Sequence, residues 1–217
     1  MPTLERNSFR FLPPFLIAAA LHLIDKIALV FVRLKFTPNT LTVLGLLAGL
    51  AAGLLFGLAR PLGACLALLL SGVLDVIDGL VAAKTNTKSR YGAILDSTLD
   101  RYSESFLYMG LAFHFRTHWA LWLAVLAFLG SMMVSYTRAR AEGLGFGCKI
   151  GLMQRAERLT LLGLAALLST IFPIFDAAMI AALGLIALFS NITALQRTMS
   201  VRSAEQHIMK REDVRNE

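Results

Sequence analysis

Apolar residues in this chain come in blocks of about 20, roughly the length of helix that crosses the hydrocarbon core of a bilayer. They lie near residues 41–59, 62–83, 90–114, 118–138, 157–173 and 177–197. Pro61, the polar TNTKS stretch, Thr117, GLGFGCK and FPIFD separate them. The blocks predict an all-α polytopic membrane protein with six transmembrane helices, in one domain over residues 1–217. Charged residues make up only 16% of the 217, against about 25% in an ordinary soluble domain.

Charge alternates between the loops. One set carries Lys84, Lys88 and Arg90 after the second block, then Arg138, Arg140, Lys149, Arg155 and Arg158 after the fourth. The N-terminal region adds Lys26, Arg33 and Lys35, and the tail adds Arg197, Arg202, Lys210, Arg211 and Arg215. The other set keeps only Arg60 and Arg116. By the positive-inside rule both termini face the cytoplasm, as an even span number requires. The protein is therefore expected to be integral to a cytoplasmic or inner membrane. The net charge of +7 reads as loops facing anionic lipid, not as a nucleic-acid surface.

Residues 12–35 are apolar but interrupted by His22, Asp25, Lys26 and Arg33. His22, Lys26 and Arg33 share one helical face, which suits a juxtamembrane amphipathic helix lying in the interface. A seventh span would bury Asp25 and Lys26 and break the charge alternation. Residues 199–217 read as a mixed-charge cytoplasmic tail. No short apolar h-region with a small-residue cleavage site is present, so no cleaved secretory signal is expected. Cys65 and Cys148 lack metal-ligand spacing and read as unpaired thiols. Trp119 and Trp122 suit an aromatic belt, and His114 and His118 an interfacial place beside it.

Four acids interrupt this apolar pattern. Asp75 and Asp78 are three apart near the end of the second block, and Asp96 and Asp100 four apart early in the third. Each pair shares a helix face. The intervening loop is short, so the two helices are expected to be antiparallel neighbours whose acidic faces meet. One unpaired charge at such depth costs at least about 2.5 kcal/mol. Pairing with Lys84, Lys88 and Arg90, or solvation, would account for Asp75 and Asp78 but not for the deeper Asp96 and Asp100. A hard divalent cation accounts for all four, since Mg²⁺ joins carboxylate oxygens to substrate phosphates. Gly79 and Gly92 beside the acids open a slot for a planar nucleotide base.

The run DVIDGLVA followed by GAILDSTLD resembles the signature of the CDP-alcohol phosphotransferases, D-x-x-D-G-x-x-A with a later G-x-x-x-D-x-x-x-D. TPNTLT, holding Pro38, Asn39 and Thr42, is similar to the family's segment ahead of the first span. One position departs: Ala83 stands where the family usually carries arginine, followed here by Lys84. The resemblance implies metal-dependent transfer of a phosphatidyl-type group from a CDP-diacylglycerol-type lipid to a small polar alcohol, releasing CMP, in phospholipid biosynthesis. It implies two Mg²⁺ or Mn²⁺ ions held by Asp75, Asp78, Asp96 and Asp100, with Asp100 the general base. It implies donor binding by Asn39, Thr42, Gly79, Ala82 and Gly92, with Lys84 or Arg90 replacing the missing cation. It also implies a homodimer.

The loop SYTRARAEGLGFGCKIGLMQRAERL is rich in arginine, whose fork suits a phosphate. R-A-R-A-E-G and Q-R-A-E-R-L resemble the branch of the family that makes phosphatidylinositol phosphate from inositol phosphate. That resemblance assigns the acceptor's phosphate to Arg138, Arg155 and Arg197, while Arg140, Glu142, Glu157 and Arg158 pair among themselves. Glycerol 3-phosphate, inositol or another alcohol are the other acceptors to weigh. An intramembrane prenyltransferase would place its acids in two widely separated loops. A transporter of divalent cations or organic phosphates would need acids or broken helices near the bilayer midplane. Neither pattern is present.

Overall fold

The computed structural model describes residues 14–148 and 150–216, with side chains described over 24–148 and 150–206. Lys149 and the first two residues of the expected 12–35 helix fall outside those limits, as do His22, Lys210, Arg211 and Arg215 as side chains. The described residues form seven helices: α1 (Pro14–Arg33), α2 (Pro38–Gly57), α3 (Pro61–Lys84), α4 (Arg90–His114), α5 (Leu121–Gly143), α6 (Arg155–Ile171) and α7 (Phe175–Asn216). Local chemistry sets several ends. Prolines open α2 and α3, where a missing N–H removes no helical bond. The Thr37 hydroxyl caps α2 by accepting from Thr40 N, and the Ser89 hydroxyl caps α4 by accepting from Gly92 N. Lys35, Ala59 and Asn86 turn the chain left-handed just past α1, α2 and α3, at φ of 59°, 51° and 56°.

The protein is an all-helical membrane protein. α2, α3, α5 and α7 are long and apolar enough to cross a bilayer. α4 falls short of that standard because Asp96, Asp100, Arg101 and Glu104 interrupt its first half, and α6 because it has 17 residues. α7 does not stop where the apolar block ends near residue 197; it runs on as one helix to Asn216.

The expected contact between α3 and α4 is not how the bundle is built. Each packs against α2, and their own backbones hardly approach. The reason lies in the buried face of α2, where Gly45, Ala48, Gly49, Ala52 and Gly53 present almost no side chain. A Cβ at Gly49 would collide with Ser103, one at Gly53 with the carbonyl of Phe106, and one at Gly110 with the carbonyl of Gly53. α2 thus sits as a wedge that keeps the backbones of α3 and α4 apart. α5 packs on α7, α6 on α3 and α7, and α1 on α3.

Gly53→Ala is therefore expected to destabilise the protein by about 1–3 kcal/mol, because the new methyl meets backbone rather than a movable side chain. Gly72→Ala, where an added Cβ meets nothing within 4 Å, should leave stability unchanged. Thermal unfolding of the two variants in detergent checks the contrast.

Candidate active site

The start of α2, the end of α3, the starts of α4 and α6, and the ends of α5 and of the apolar part of α7 meet at one end of the bundle. Asp75 and Asp78 come from α3 and Asp96 and Asp100 from α4, so the gap left by the α2 wedge is lined with carboxylates. Asp75, Asp96 and Asp100 each offer an oxygen within 4.8 Å of the others'. Asp78 stands beside this triad, with its Oδ2 accepting a 2.7 Å bond from the Thr42 hydroxyl. Asp96 Oδ1 is buried and has no hydrogen-bond partner among the described residues. An orphaned carboxylate oxygen beside two more fits a hard, oxygen-seeking cation such as Mg²⁺ or Mn²⁺. Arg155, second in line across the gap, reaches Asp75 Oδ1 at 3.1 Å and Asp100 Oδ2 at 2.8 Å through Nη1.

Two large cavities flank the cluster. The first, of about 540 Å³, lies between α3 and α4. Asn39, Thr42, Gly79, Ala82 and Gly92 line it, together with Asp75, Asp78 and Asp96. At Gly79 a Cβ would meet nothing within 4 Å, so that wall is open to a ligand. Lys84 and Arg90, the two cations expected here, do not line the cavity. Lys84 is drawn 2.7 Å from Asp25 on α1, and Arg90 starts α4 exposed to solvent. Lys88 lines the cavity instead, beside Ala83. The sequence offers Lys88 as a loop charge and a pairing partner for Asp75 or Asp78 but not as a donor-side cation, since nothing local reveals which of three neighbouring cations a helix end turns inward.

The second cavity, of about 610 Å³, opens on the other side of Asp75 and gathers Arg138, Arg155 and Arg197. These three, assigned to the acceptor by the family resemblance, come from α5, α6 and α7. Their commitments differ. Arg138 is held by Glu142 at 2.9 Å. Arg197 is 2% exposed and donates to the carbonyls of Ile150 and Val134, tying the α5–α6 loop to α5. Arg155 alone touches the carboxylates. Arg158 departs from its expected loop pairing: it is buried against Glu104 of α4, at 2.6 Å and 2.8 Å. Cys65 and Cys148 are buried free thiols, as their spacing suggested. Asp75 lines both cavities, so the acidic cluster sits where they meet.

A membrane-embedded helical bundle with such a cluster between two cavities has the parts of a metal-dependent group-transfer enzyme. Residues 35–192 match the CDP-alcohol phosphatidyltransferase family. The chain is 35% identical over 180 residues to archaetidylinositol phosphate synthase of Pyrococcus horikoshii, covering 82% of this chain and 90% of the relative. It is 32% identical over 197 residues to phosphatidylinositol phosphate synthase of Mycobacterium tuberculosis H37Rv, covering 87% and 90%. The crystal structure of the Mycobacterium tuberculosis enzyme with CDP-DAG bound superposes with a TM-score of 0.75 at 30% identity, over 83% of this chain and 94% of that one. The same enzyme in complex with manganese and citrate also gives 0.75, over 82% and 88%. The chain belongs to the CDP-alcohol phosphatidyltransferase family, and it is a transferase of phospholipid synthesis.

Proposed function

We propose that this enzyme transfers the phosphatidyl-type group of a CDP-diacylglycerol-type lipid to a hydroxyl of inositol phosphate and releases CMP. The observation that carries the reading is the acidic cluster at the junction of two cavities, one walled by small residues and one by arginines. The names of the relatives support inositol phosphate as acceptor, over glycerol 3-phosphate or free inositol.

In this reading the cytidine end lies in the cavity between α3 and α4, where Gly79, Ala82 and Gly92 let it approach the backbone. Asn39 and Thr42 line its mouth, and Thr42 also fixes the Asp78 carboxylate. Asp75, Asp78, Asp96 and Asp100 would hold divalent cations, two of Mg²⁺ or Mn²⁺ by analogy with two-carboxylate-pair sites. Such ions, when bound, neutralise the pyrophosphate and stabilise the departing CMP. Arg155, with Arg138 and Arg197 behind it, binds the acceptor's phosphate and brings its hydroxyl toward Asp100. Asp100 takes the hydroxyl proton. The freed oxygen bonds to the phosphorus carrying the lipid alcohol, and that phosphorus parts from the CMP oxygen.

Lys88 is the cation this chain offers on the donor side. Lys88→Ala is expected to raise the donor KM about tenfold, the loss of one charge-assisted contact, with the acceptor KM unchanged. Steady-state kinetics with each substrate varied in turn checks the split.

The six-span topology, with both termini and the site at the cytoplasmic face, belongs to the same proposal. Its support is that every basic loop lies at the end of the bundle where the carboxylates are. The single-domain reading, the interfacial placement of α1 and a homodimer go with it. CMP release from CDP-diacylglycerol, with inositol phosphate, glycerol 3-phosphate, inositol and serine offered separately, tests the acceptor. Release should require inositol phosphate; equal release with free inositol would sink the arginine pocket.

A further inference from the structure

α4 and α6 carry the two halves of the site that must cooperate, Asp100 and Arg155, yet their backbones hardly approach each other. α4 packs on α2 and α5, while α6 packs on α3 and α7. Long side chains join them instead, in two rungs. Asp100 meets Arg155 at 2.8 Å, and one turn further along each helix Glu104 meets Arg158 through two bonds, at 2.6 Å and 2.8 Å. The first rung belongs to the site. The second is sealed: Arg158 is 0% and Glu104 1% exposed.

The second rung is tied on both sides. Glu104 Oε1 also accepts from the Tyr108 hydroxyl at 3.2 Å, and that hydroxyl shares a 2.8 Å bond with Ser131 of α5. Arg158 Nη1 donates to the carbonyl of Met153, two residues before Arg155, while the Met153 amide donates to Thr193 of α7. Gln154, the residue capping α6, makes no side-chain cap bond. The first turn of α6 therefore takes its position from these cross-links rather than from a local cap. Stability alone gives little reason for such a pair, since well-packed apolar residues commonly replace a buried ion pair without loss.

We infer that Glu104 and Arg158 form a fixed strut that sets the distance between Asp100 and Arg155, and with it the fit of the phosphorylated acceptor. They are positioning residues: Arg158 borders the acceptor cavity, but it and Glu104 are buried against each other and present almost no surface to a substrate. This rests on the proposed acceptor reading.

Two variants test it. Glu104→Asp keeps both charges and shortens the strut by one methylene. Glu104→Leu with Arg158→Met removes both charges together, so no lone buried ion is left, and Tyr108 keeps Ser131 as partner. Each is assayed with CDP-diacylglycerol, inositol phosphate and Mg²⁺, and its unfolding temperature is measured. The strut predicts an acceptor KM raised by about tenfold to a hundredfold, as an ångström-scale misplacement does. The donor KM and, in the double variant, the unfolding temperature should stay at wild-type values. A folded double variant with the wild-type acceptor KM overturns the inference. So does a parallel rise of both KM values tracking a fall in unfolding temperature, which marks a merely structural pair. Wild type is run alongside: its failure to use inositol phosphate would sink the acceptor reading itself, separately from the strut.

Discussion

Asp100→Asn is expected to lower kcat for CMP release by about a thousandfold, within the range that a positioned general base contributes. The substitution keeps the side chain's size and its contact with Arg155, but the amide cannot take a proton from the acceptor hydroxyl. It also takes one negative charge out of the three carboxylates gathered within 4.8 Å. Two functions are lost in one atom exchange, which is why this variant should be the most damaging of those considered. Folding should survive, because the change removes a carboxylate from a crowded acidic cluster. Single-turnover CMP release with saturating donor and acceptor measures it. Retention of more than about a tenth of the wild-type rate would take Asp100 out of the base role.

Arg155→Ala is the second large effect, an expected loss of about a hundredfold or more in kcat/KM for inositol phosphate. Arg155 is the arginine that lines the acceptor cavity and also contacts Asp75 and Asp100. Its loss removes the acceptor's nearest phosphate partner and leaves Asp75 and Asp100 facing each other with only Arg101, 3.9 Å from Asp100, as a counter-charge among the described residues. The donor KM should change little, since Arg155 does not line the cavity between α3 and α4. Arg155→Lys should recover only part of the loss, because an ammonium is a point charge and cannot hold the acceptor's phosphate bidentately as a planar guanidinium can. Varying inositol phosphate at fixed donor separates these outcomes.

Much of the architecture was legible because membrane helices announce themselves by length and hydropathy. The reading of 62–83 became Pro61–Lys84, and 90–114 became Arg90–His114 without change. The aspartates were legible because three- and four-residue spacings fix helix faces covalently, whatever the rest of the chain does. Partnerships between helices were harder. Nothing within α3 or α4 says that α2 will wedge between them; that follows from its run of small residues meeting Ser103, Phe106 and Gly110 on another helix. Side-chain direction at helix ends was equally hidden. Lys84 turns to Asp25, an acid 59 positions earlier, while Lys88 lines the cavity. Glu104 drew no notice as one more charge on α4, and its pairing with Arg158 depends on a separation of 54 residues. Hydropathy marked only the apolar part of α7, because it shows where a helix can leave lipid, not where it stops being a helix.

The most direct test of the account is the lipid product. Purified protein is incubated with CDP-diacylglycerol, inositol phosphate and Mg²⁺, and the lipid fraction is weighed by mass spectrometry. The account predicts one product uniting the donor's intact phosphatidyl group with inositol phosphate, formed in step with CMP. It should be absent with chelator and in Asp100→Asn. CMP accompanied by phosphatidic acid would mean that water, not the arginine-held alcohol, is the acceptor, and would contradict the account.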